Sequence, residues 1–160
     1  MEQQLSRSAS RVQHALASRG FDFQVVELPD SARTAQEAAS AIGCEVREIA
    51  KSLVFRCIED DSPLLVVASG SDRVDENKLS RAVGRTVKKA DAAFVRDRLG
   101  FAIGGVAPVG HIAPVRTLVD AALLALDVIW AAAGTPHAVF KLTPRDLVAM
   151  TEGQVVDVAH

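Results

Sequence analysis

The sequence predicts a single mixed α/β domain whose largely antiparallel sheet is flanked by short helices. Segments of helical period alternate along the chain with short runs rich in β-branched residues, and an acidic turn joins two of those runs. No internal repeat, linker or low-complexity segment divides the 160 residues, and that length suits one domain with its own core. We therefore treat residues 1–160 as one folding unit.

The first two elements are predicted from their spacing. Apolar residues recur at helical intervals from Leu5 to Leu16, and Gly20 follows as a stop signal, which predicts an amphipathic helix over residues 3–19. Residues 21–28 then alternate and are rich in aromatic and β-branched side chains, which predicts a strand.

A capped helix and a hairpin come next. Thr34 stands three residues before Glu37, which is the pattern of a capping box, and Gly43 closes the helix. Two apolar runs, at 51–58 and 63–69, surround the acidic turn and predict an antiparallel pair of strands.

The remaining elements follow from the same signals. In chain order they are a capped helix at 75–84, a strand at 86–88, a helix at 91–99, a structured Gly-rich loop between strand-like segments at 101–115, strands at 116–120 and 126–134 around a short helical turn, a strand at 137–142, a helix at 143–150 with Thr143 as its cap, and an edge strand at 154–159.

Composition narrows the class of protein. The chain is 49% hydrophobic and 24% charged, with a net charge of -2, unlike a disordered tail or a strongly basic nucleic-acid scaffold. Two cysteines are too few for a disulfide framework and form no zinc motif, so we expect a reducing cytoplasm, no metal and no cofactor. The first residues lack a secretory pattern, and Asp127 interrupts the longest apolar run, so we expect no membrane segment.

The Gly-rich loop offers backbone rather than side-chain chemistry. Its spacing matches neither nucleotide-binding glycine motif. Gly104 and Gly105 leave room for a ligand, Pro108 stiffens the turn and Gly110 reverses it. Exposed N–H groups in such a loop could bind a developing oxyanion, although composition alone favours a tight structural turn.

Three further side chains could bind substrate. Lys51 begins a core strand, so we expect it at the end of that strand, where its ammonium group could hold a phosphate. The alternative is a lysine that packs its stem on the sheet while its ammonium group reaches water. His111 adjoins the Gly-rich loop and His137 lies in a second turn. Each could relay a proton, or could be a turn histidine without a chemical role.

A local excess of positive charge lies between Arg81 and Arg98, across two predicted helices and the strand that joins them. Six basic residues face only two acidic ones in this stretch, which suits a phosphate backbone or, equally, a mixed solvated surface. With few aromatic residues, a long stacking platform for single strands is not expected. The basic residues are Arg81, Arg85, Lys88, Lys89, Arg96 and Arg98.

Five ordered segments together resemble a known family. They are RTAQEAASAIG, EIAKSLVF, PLLVVASGSDRVDENKLSRAVG, GFAIGGVAPVGH and FKLTPRDLVAMT. In this order they resemble the YbaK and prolyl-tRNA-synthetase-associated editing domains across nearly the whole chain.

The resemblance implies a hydrolase that removes a wrong amino acid from the terminal adenosine of a tRNA, usually proline tRNA carrying Ala, Cys, Ser or Thr. It implies that Lys51 helps hold the acceptor end and that Gly104, the first glycine of G-x-x-x-P, places the scissile carbonyl, with Pro108 fixing the loop. A late histidine of some relatives is similar in position to His137. Mischarged tRNA, and prolyl-tRNA synthetase as a docking protein, are the expected partners; DNA is not.

These expectations combine into one set of site residues. We assign Lys51, Gly104 and Gly105 to catalysis. Substrate binding is assigned to Thr34, Pro108, Gly110, His111 and His137, and tRNA binding to Arg81, Arg85, Lys88 and Lys89.

Two other functions remain open at this point. One is a non-catalytic module of the same fold that binds tRNA or a synthetase. The other is a hydrolase of some other small ester, which would not need the basic stretch.

Overall fold

The computed structural model describes residues 5–160, so the first two residues of the predicted N-terminal helix lie outside the described part of the chain. The helices are α1 (Arg7–Ser18), α2 (Ala35–Ile42), α3 (Glu76–Val83), α4 (Ala92–Leu99) and α5 (Pro144–Thr151). The strands are β1 (Val25–Glu27), β2 (Ile49–Cys57), β3 (Pro63–Ser69), β4 (Val87–Lys89), β5 (Arg116–Asp120), β6 (Ile129–Ala132), β7 (Ala138–Leu142) and β8 (Gln154–Val156).

The described strands form one open, mixed sheet. Its order is β1-β7-β6-β2-β3-β5-β8, and β4 joins β2 outside this path. The pairs β1/β7, β6/β7, β2/β3 and β2/β4 are antiparallel, whereas β2/β6, β3/β5 and β5/β8 are parallel. The predicted mixed and largely antiparallel α/β fold is thus confirmed, including the β2/β3 hairpin and the edge strand near the C-terminus.

Local signals explain where the helices begin and end. The side chains of Thr34, Asp75, Asp91 and Thr143 each accept a backbone N–H in the first turn of their helix, which satisfies donors that have no partner inside the helix. Helices α2, α3 and α4 each end at a glycine in the left-handed conformation.

The predicted strand at 21–28 was too long, because only Val25–Glu27 pairs with β7. A side chain of α1 replaces strand pairing at its start. Gln13 donates from Nε2 to the Phe23 carbonyl at 2.8 Å and accepts the Val25 N–H on Oε1 at 2.8 Å. Alternating hydrophobicity alone does not show that a helix side chain satisfies the backbone.

The Gly-rich loop was also misplaced on one side. It follows helix α4 rather than a strand, and only its C-terminal end runs into a strand, β5. The apolar alternation of residues 101–109 reflects burial against α1 and the sheet, because Phe101, Val106 and Val109 all belong to the main core cluster.

The core lies on both faces of the sheet. One face packs against α1, α4 and α5 through a large cluster that includes Ala50, Val54 and Val95. The other face packs against α3 through a smaller cluster that includes Phe55 and Leu79. Strand β2 therefore contributes to both clusters, since successive side chains of a strand point to opposite faces.

We predict that Leu65→Ala costs about 2–5 kcal/mol in the free energy of unfolding, because Leu65 is fully buried in β3 between β2 and β5. Chemical denaturation of the two proteins measures the difference. Leu124→Ala is the matched control, since Leu124 is 45% exposed and its loss costs less than about 1 kcal/mol. Equal losses for the two variants would contradict this account of the core.

Candidate active site

Strand β2 is the point at which the sheet forks. On the edge opposite β3, β6 pairs only with Ile49 and Ala50, and β4 pairs only with Phe55–Cys57. Among the described strands, none pairs with residues 51–53 on that edge. The backbone groups of Ser52 point to this opening, because alternate residues share an edge and the Val54 carbonyl accepts the Ala90 N–H there.

A cavity of about 360 Å³, which we call the Lys51 cavity, lies over the fork. It brings together three of the predicted site residues, Thr34, Lys51 and Gly104, which come from α2, β2 and the Gly-rich loop. Thr34 Oγ1 accepts the Glu37 N–H at 3.1 Å, so its hydroxyl also caps α2. The other lining residues are Ala32, Arg33, Ala35, Ala38, Ile49, Ala50, Ser52, Leu53, Ile103, Val106, Trp130, Ala131, Ala132 and Val139.

Lys51 lies near the first end of β2, as its position in the sequence predicts. Its Nζ donates to the backbone carbonyl of Asp72, in the turn that follows β3. Partial burial lowers the pKa of Lys51, and the charges of Arg73 and Lys89 lower it further, while the Asp72 carboxylate opposes the shift. An incoming phosphate would favour the ammonium form of Lys51 and would lie close to two further cations.

The two adjacent glycines of the loop differ in their surroundings. Gly104 adopts a φ of +93°, and an added Cβ would lie 2.7 Å from the Cγ of Arg33, so the glycine allows the arginine stem to pack on the loop. Gly105 is buried against the backbone of Thr135. Its N–H donates to the Ala102 carbonyl at 3.0 Å, so in this conformation that amide is already used within the loop.

The loop is held at both ends by one arginine of α1. Arg11 donates from Nη2 to the Gly100 carbonyl at 2.8 Å and from Nε to the Gly110 carbonyl at 2.9 Å. Its guanidinium also lies 4.3 Å from the centre of the Phe101 ring. Gly110 therefore packs against α1 and helps anchor the loop, and it does not line the Lys51 cavity.

Pro108 and His111 line a different cavity, of about 670 Å³, beside α5. The His111 Nε2 lies 2.8 Å from the Ala107 carbonyl, and the imidazole packs edge-on against Phe101. Burial lowers the pKa of His111, an effect that the bond to Ala107 opposes. The Lys51 cavity does not include either residue, so their link to it runs through the loop backbone.

His137 is exposed and is not among the described residues that line the Lys51 cavity. Its backbone carbonyl accepts the Leu28 N–H at 2.7 Å, and its N–H donates to Thr135 Oγ1 at 3.2 Å. The turn that contains it therefore ties β7 to the segment before Thr34.

The basic stretch carries less free charge than its sequence suggests. Arg85 pairs with Asp60 at 2.8 Å and Arg98 with Asp61 at 3.1 Å, both in the acidic turn between β2 and β3. Arg81, Lys88 and Lys89 are exposed, and no ion pair of theirs is found among the described residues. Lys89 lies close enough to Lys51 for its charge to lower the pKa of Lys51.

Sequence reasoning missed several residues at the site. Arg33 packs on Gly104, Asp72 supplies the carbonyl that receives Lys51, and Ser52 lies at the fork. Only Ser52 left a signal in the sequence, as a polar residue next to Lys51 in a mostly apolar strand. The others meet the site through turns whose geometry the sequence pattern does not specify.

Two absences apply to residues 5–160. No group of three or more His, Cys, Asp or Glu side chains is arranged there to hold a metal ion. The helices of this part of the chain are too short or too polar to cross a bilayer.

Known proteins are similar to this chain in sequence and in fold. YwhH of Bacillus subtilis, an uncharacterised protein, is 32% identical over 123 residues, which are 77% of this chain and 78% of YwhH. A solved structure of a protein proposed to be a trans-editing enzyme for prolyl tRNA synthetase is 49% identical, with a TM-score of 0.92 over 98% of this chain and 99% of that one.

A proline–tRNA ligase of Thermodesulfovibrio yellowstonii is 28% identical over 96 residues, which are 60% of this chain but only 16% of the ligase. The similarity therefore concerns one segment of that much longer enzyme. The profile of the aminoacyl-tRNA editing domain matches residues 29–150, most of the chain and every element that builds the Lys51 cavity. The chain belongs to the aminoacyl-tRNA editing domain family.

Proposed function

We propose that this protein is a trans-editing hydrolase that removes a wrongly attached amino acid from tRNA, with proline tRNA carrying Ala, Cys, Ser or Thr as its substrate. The observation that carries the proposal is the convergence of Lys51 and Gly104 on one cavity at the fork of the sheet. Family membership and the similarity to a proposed trans-editing enzyme support the reaction type. Such an enzyme would work in the cytoplasm, where charged tRNA is used.

The proposed chemistry needs little from side chains. An aminoacyl ester is already activated, so orientation and stabilisation of the oxyanion are enough. The oxygen of a water attacks the ester carbonyl carbon, and its proton leaves with help from a ribose hydroxyl of the substrate. The bond to the ribose oxygen then breaks and that oxygen takes up a proton, which releases the amino acid and a tRNA with a free terminal hydroxyl.

Each residue has a distinct proposed part. Lys51 neutralises a phosphate of the acceptor end, and the backbone at Gly104 places the scissile carbonyl. Gly105 supports the loop, because its own N–H is bonded to Ala102. Thr34 borders the cavity, and Pro108, Gly110 and His111 fix the loop from its far side. His137 acts on the site only through the turn that it occupies.

The exposed cations suggest how tRNA approaches. Lys89 lies near Lys51, Lys88 precedes it on β4, and Arg81 lies on the neighbouring helix α3. We propose that these residues contact the acceptor stem. Arg85 contributes less, because it is paired with Asp60. Prolyl-tRNA synthetase remains the proposed docking protein.

We predict that Lys51→Ala lowers kcat/KM for deacylation at least tenfold, since a charge-assisted hydrogen bond is worth about 1.5–3 kcal/mol. Single-turnover hydrolysis of mischarged proline tRNA measures the effect. Arg145→Ala, which removes an exposed cation from α5, keeps the wild-type rate. A folded Lys51→Ala protein of unchanged turnover would refute the assignment of Lys51.

We predict that Lys88→Ala and Lys89→Ala each weaken tRNA binding and each reduce the slope of log Kd against log salt by about one unit. Binding is measured across a series of salt concentrations, again with Arg145→Ala as the control. If the slope of log Kd against log salt did not differ from that of the wild type, the tRNA would bind to a surface that excludes Lys88 and Lys89. A protein with no salt-dependent affinity would instead favour a hydrolase of some other ester.

We predict that replacing Gly104 mainly slows deacylation, whereas replacing Gly105 mainly destabilises the fold. Gly104→Ala destabilises the fold by about 1–2 kcal/mol through the strain of its left-handed φ, and further through displacement of the Arg33 stem, yet it slows deacylation at least tenfold. Gly105→Ala destabilises more, since the added Cβ meets the Thr135 backbone at 2.8 Å. Thermal melts and turnover of both variants test this; a Gly104→Ala enzyme of normal activity would contradict it.

A further inference from the structure

Ser52 carries a hydroxyl that the fold itself does not use. Its Oγ is buried and has no hydrogen-bond partner among the described residues. Buried polar groups are almost always paired, because an unpaired one loses its bonds to water without replacement. The hydroxyl stands at the fork, next to the residue we assign to phosphate binding, so its missing partner points to a ligand.

Lys51 and Ser52 are adjacent on β2, and their side chains face opposite sides of the sheet. Ala50 and Val54 pack in the core cluster under α4, so Ser52, which lies between them, faces that side. Leu53 packs in the cluster on the other side, and Lys51 shares that face. A ligand that contacts both residues must pass through the unpaired opening in the sheet.

A second, smaller cavity of about 190 Å³ adjoins the Lys51 cavity at this opening. The two share Ser52, Leu53, Ile103, Gly104 and Val106. The rest of its wall is Val54, Phe55, Lys89, Ala90 and Val95.

This smaller cavity suits the side chain of an amino acid. Apart from Ser52 and the exposed Lys89, its wall is apolar or glycine, and its volume of about 190 Å³ is about half that of the Lys51 cavity. Lys51 lines the larger cavity, whereas Gly104 and Ser52 line both. With the phosphate at Lys51 and the ester at Gly104, the amino-acid side chain is the part of the substrate left to enter the smaller cavity, beside Ser52.

We propose that Ser52 is a specificity-determining residue whose hydroxyl hydrogen-bonds the side-chain hydroxyl of the esterified amino acid, so that seryl and threonyl esters are preferred over alanyl esters. This inference rests on the proposed deacylase function. An apolar pocket with one unpaired hydroxyl favours a ligand that pairs with it, because a ligand without that group leaves the pocket hydroxyl unsatisfied. Ile103 is half exposed and borders both cavities.

The test compares two substrates that differ by one oxygen atom. Proline tRNA is charged separately with serine and with alanine, and kcat/KM is measured for wild type and Ser52→Ala after correction for spontaneous hydrolysis. In wild type we expect kcat/KM for the seryl ester to be about tenfold higher than kcat/KM for the alanyl ester, and we expect Ser52→Ala to lower this ratio about tenfold.

Ser69→Ala is the matched control. Ser69 is also buried, in the adjacent strand β3, but its Oγ donates to the Arg47 carbonyl at 2.7 Å. We expect Ser69→Ala to lower the melting temperature and to keep the ester ratio. Ser52→Ala should keep or raise the melting temperature, since it removes an unpaired group, and should change the ratio.

Every outcome bears on the proposal. A wild type that cleaves the alanyl ester as fast as the seryl ester overturns the role of Ser52, and so does a ratio that Ser52→Ala leaves unchanged. In either case Lys51-dependent hydrolysis still supports the deacylase. A folded wild type that cleaves neither these esters nor the cysteinyl and threonyl esters overturns the deacylase itself, and the role of Ser52 with it.

Discussion

The candidate site depends on a single constraint, the fork of the sheet at β2. One edge of this strand is shared by β6 and β4, and among the described strands none pairs with residues 51–53 on that edge. In a closed sheet the backbone groups of Ser52 would pair with a neighbouring strand on this edge as well. The fork instead opens a cavity between α2 and the Gly-rich loop, within a frame that β3 and β5 hold rigidly on the other edge.

The loop and the sheet meet this constraint from opposite sides. Arg11 fixes the ends of the loop by bonding the carbonyls of Gly100 and Gly110, so that the segment between them spans the opening without secondary structure of its own. On the sheet side, the turn after β3 receives Lys51 through the Asp72 carbonyl. A substrate would thus meet the ammonium group of Lys51 and the backbone of the Gly-rich loop in positions that are set before it binds. Such preorganisation favours ester hydrolysis.

The sequence was sufficient for most of the fold, because caps, stop glycines and apolar periodicity are local signals. It was insufficient where a distant side chain replaces a local partner, as Gln13 does for the segment before β1. The same reason explains the site. Lys51, Gly104 and Thr34 line one cavity, whereas Pro108 and His111 line a separate cavity beside α5. The charge of Arg85 was overestimated, since its partner Asp60 lies in a different turn.

If the cavity at the fork hydrolyses mischarged tRNA, the wild-type protein should deacylate proline tRNA that carries a wrong amino acid. The rate is measured on proline tRNA charged separately with alanine, cysteine, serine, threonine and proline. We expect rapid hydrolysis of at least one of the first four esters, with the prolyl ester spared. Hydrolysis of none of them by folded protein, or equal hydrolysis of the prolyl ester, would contradict it.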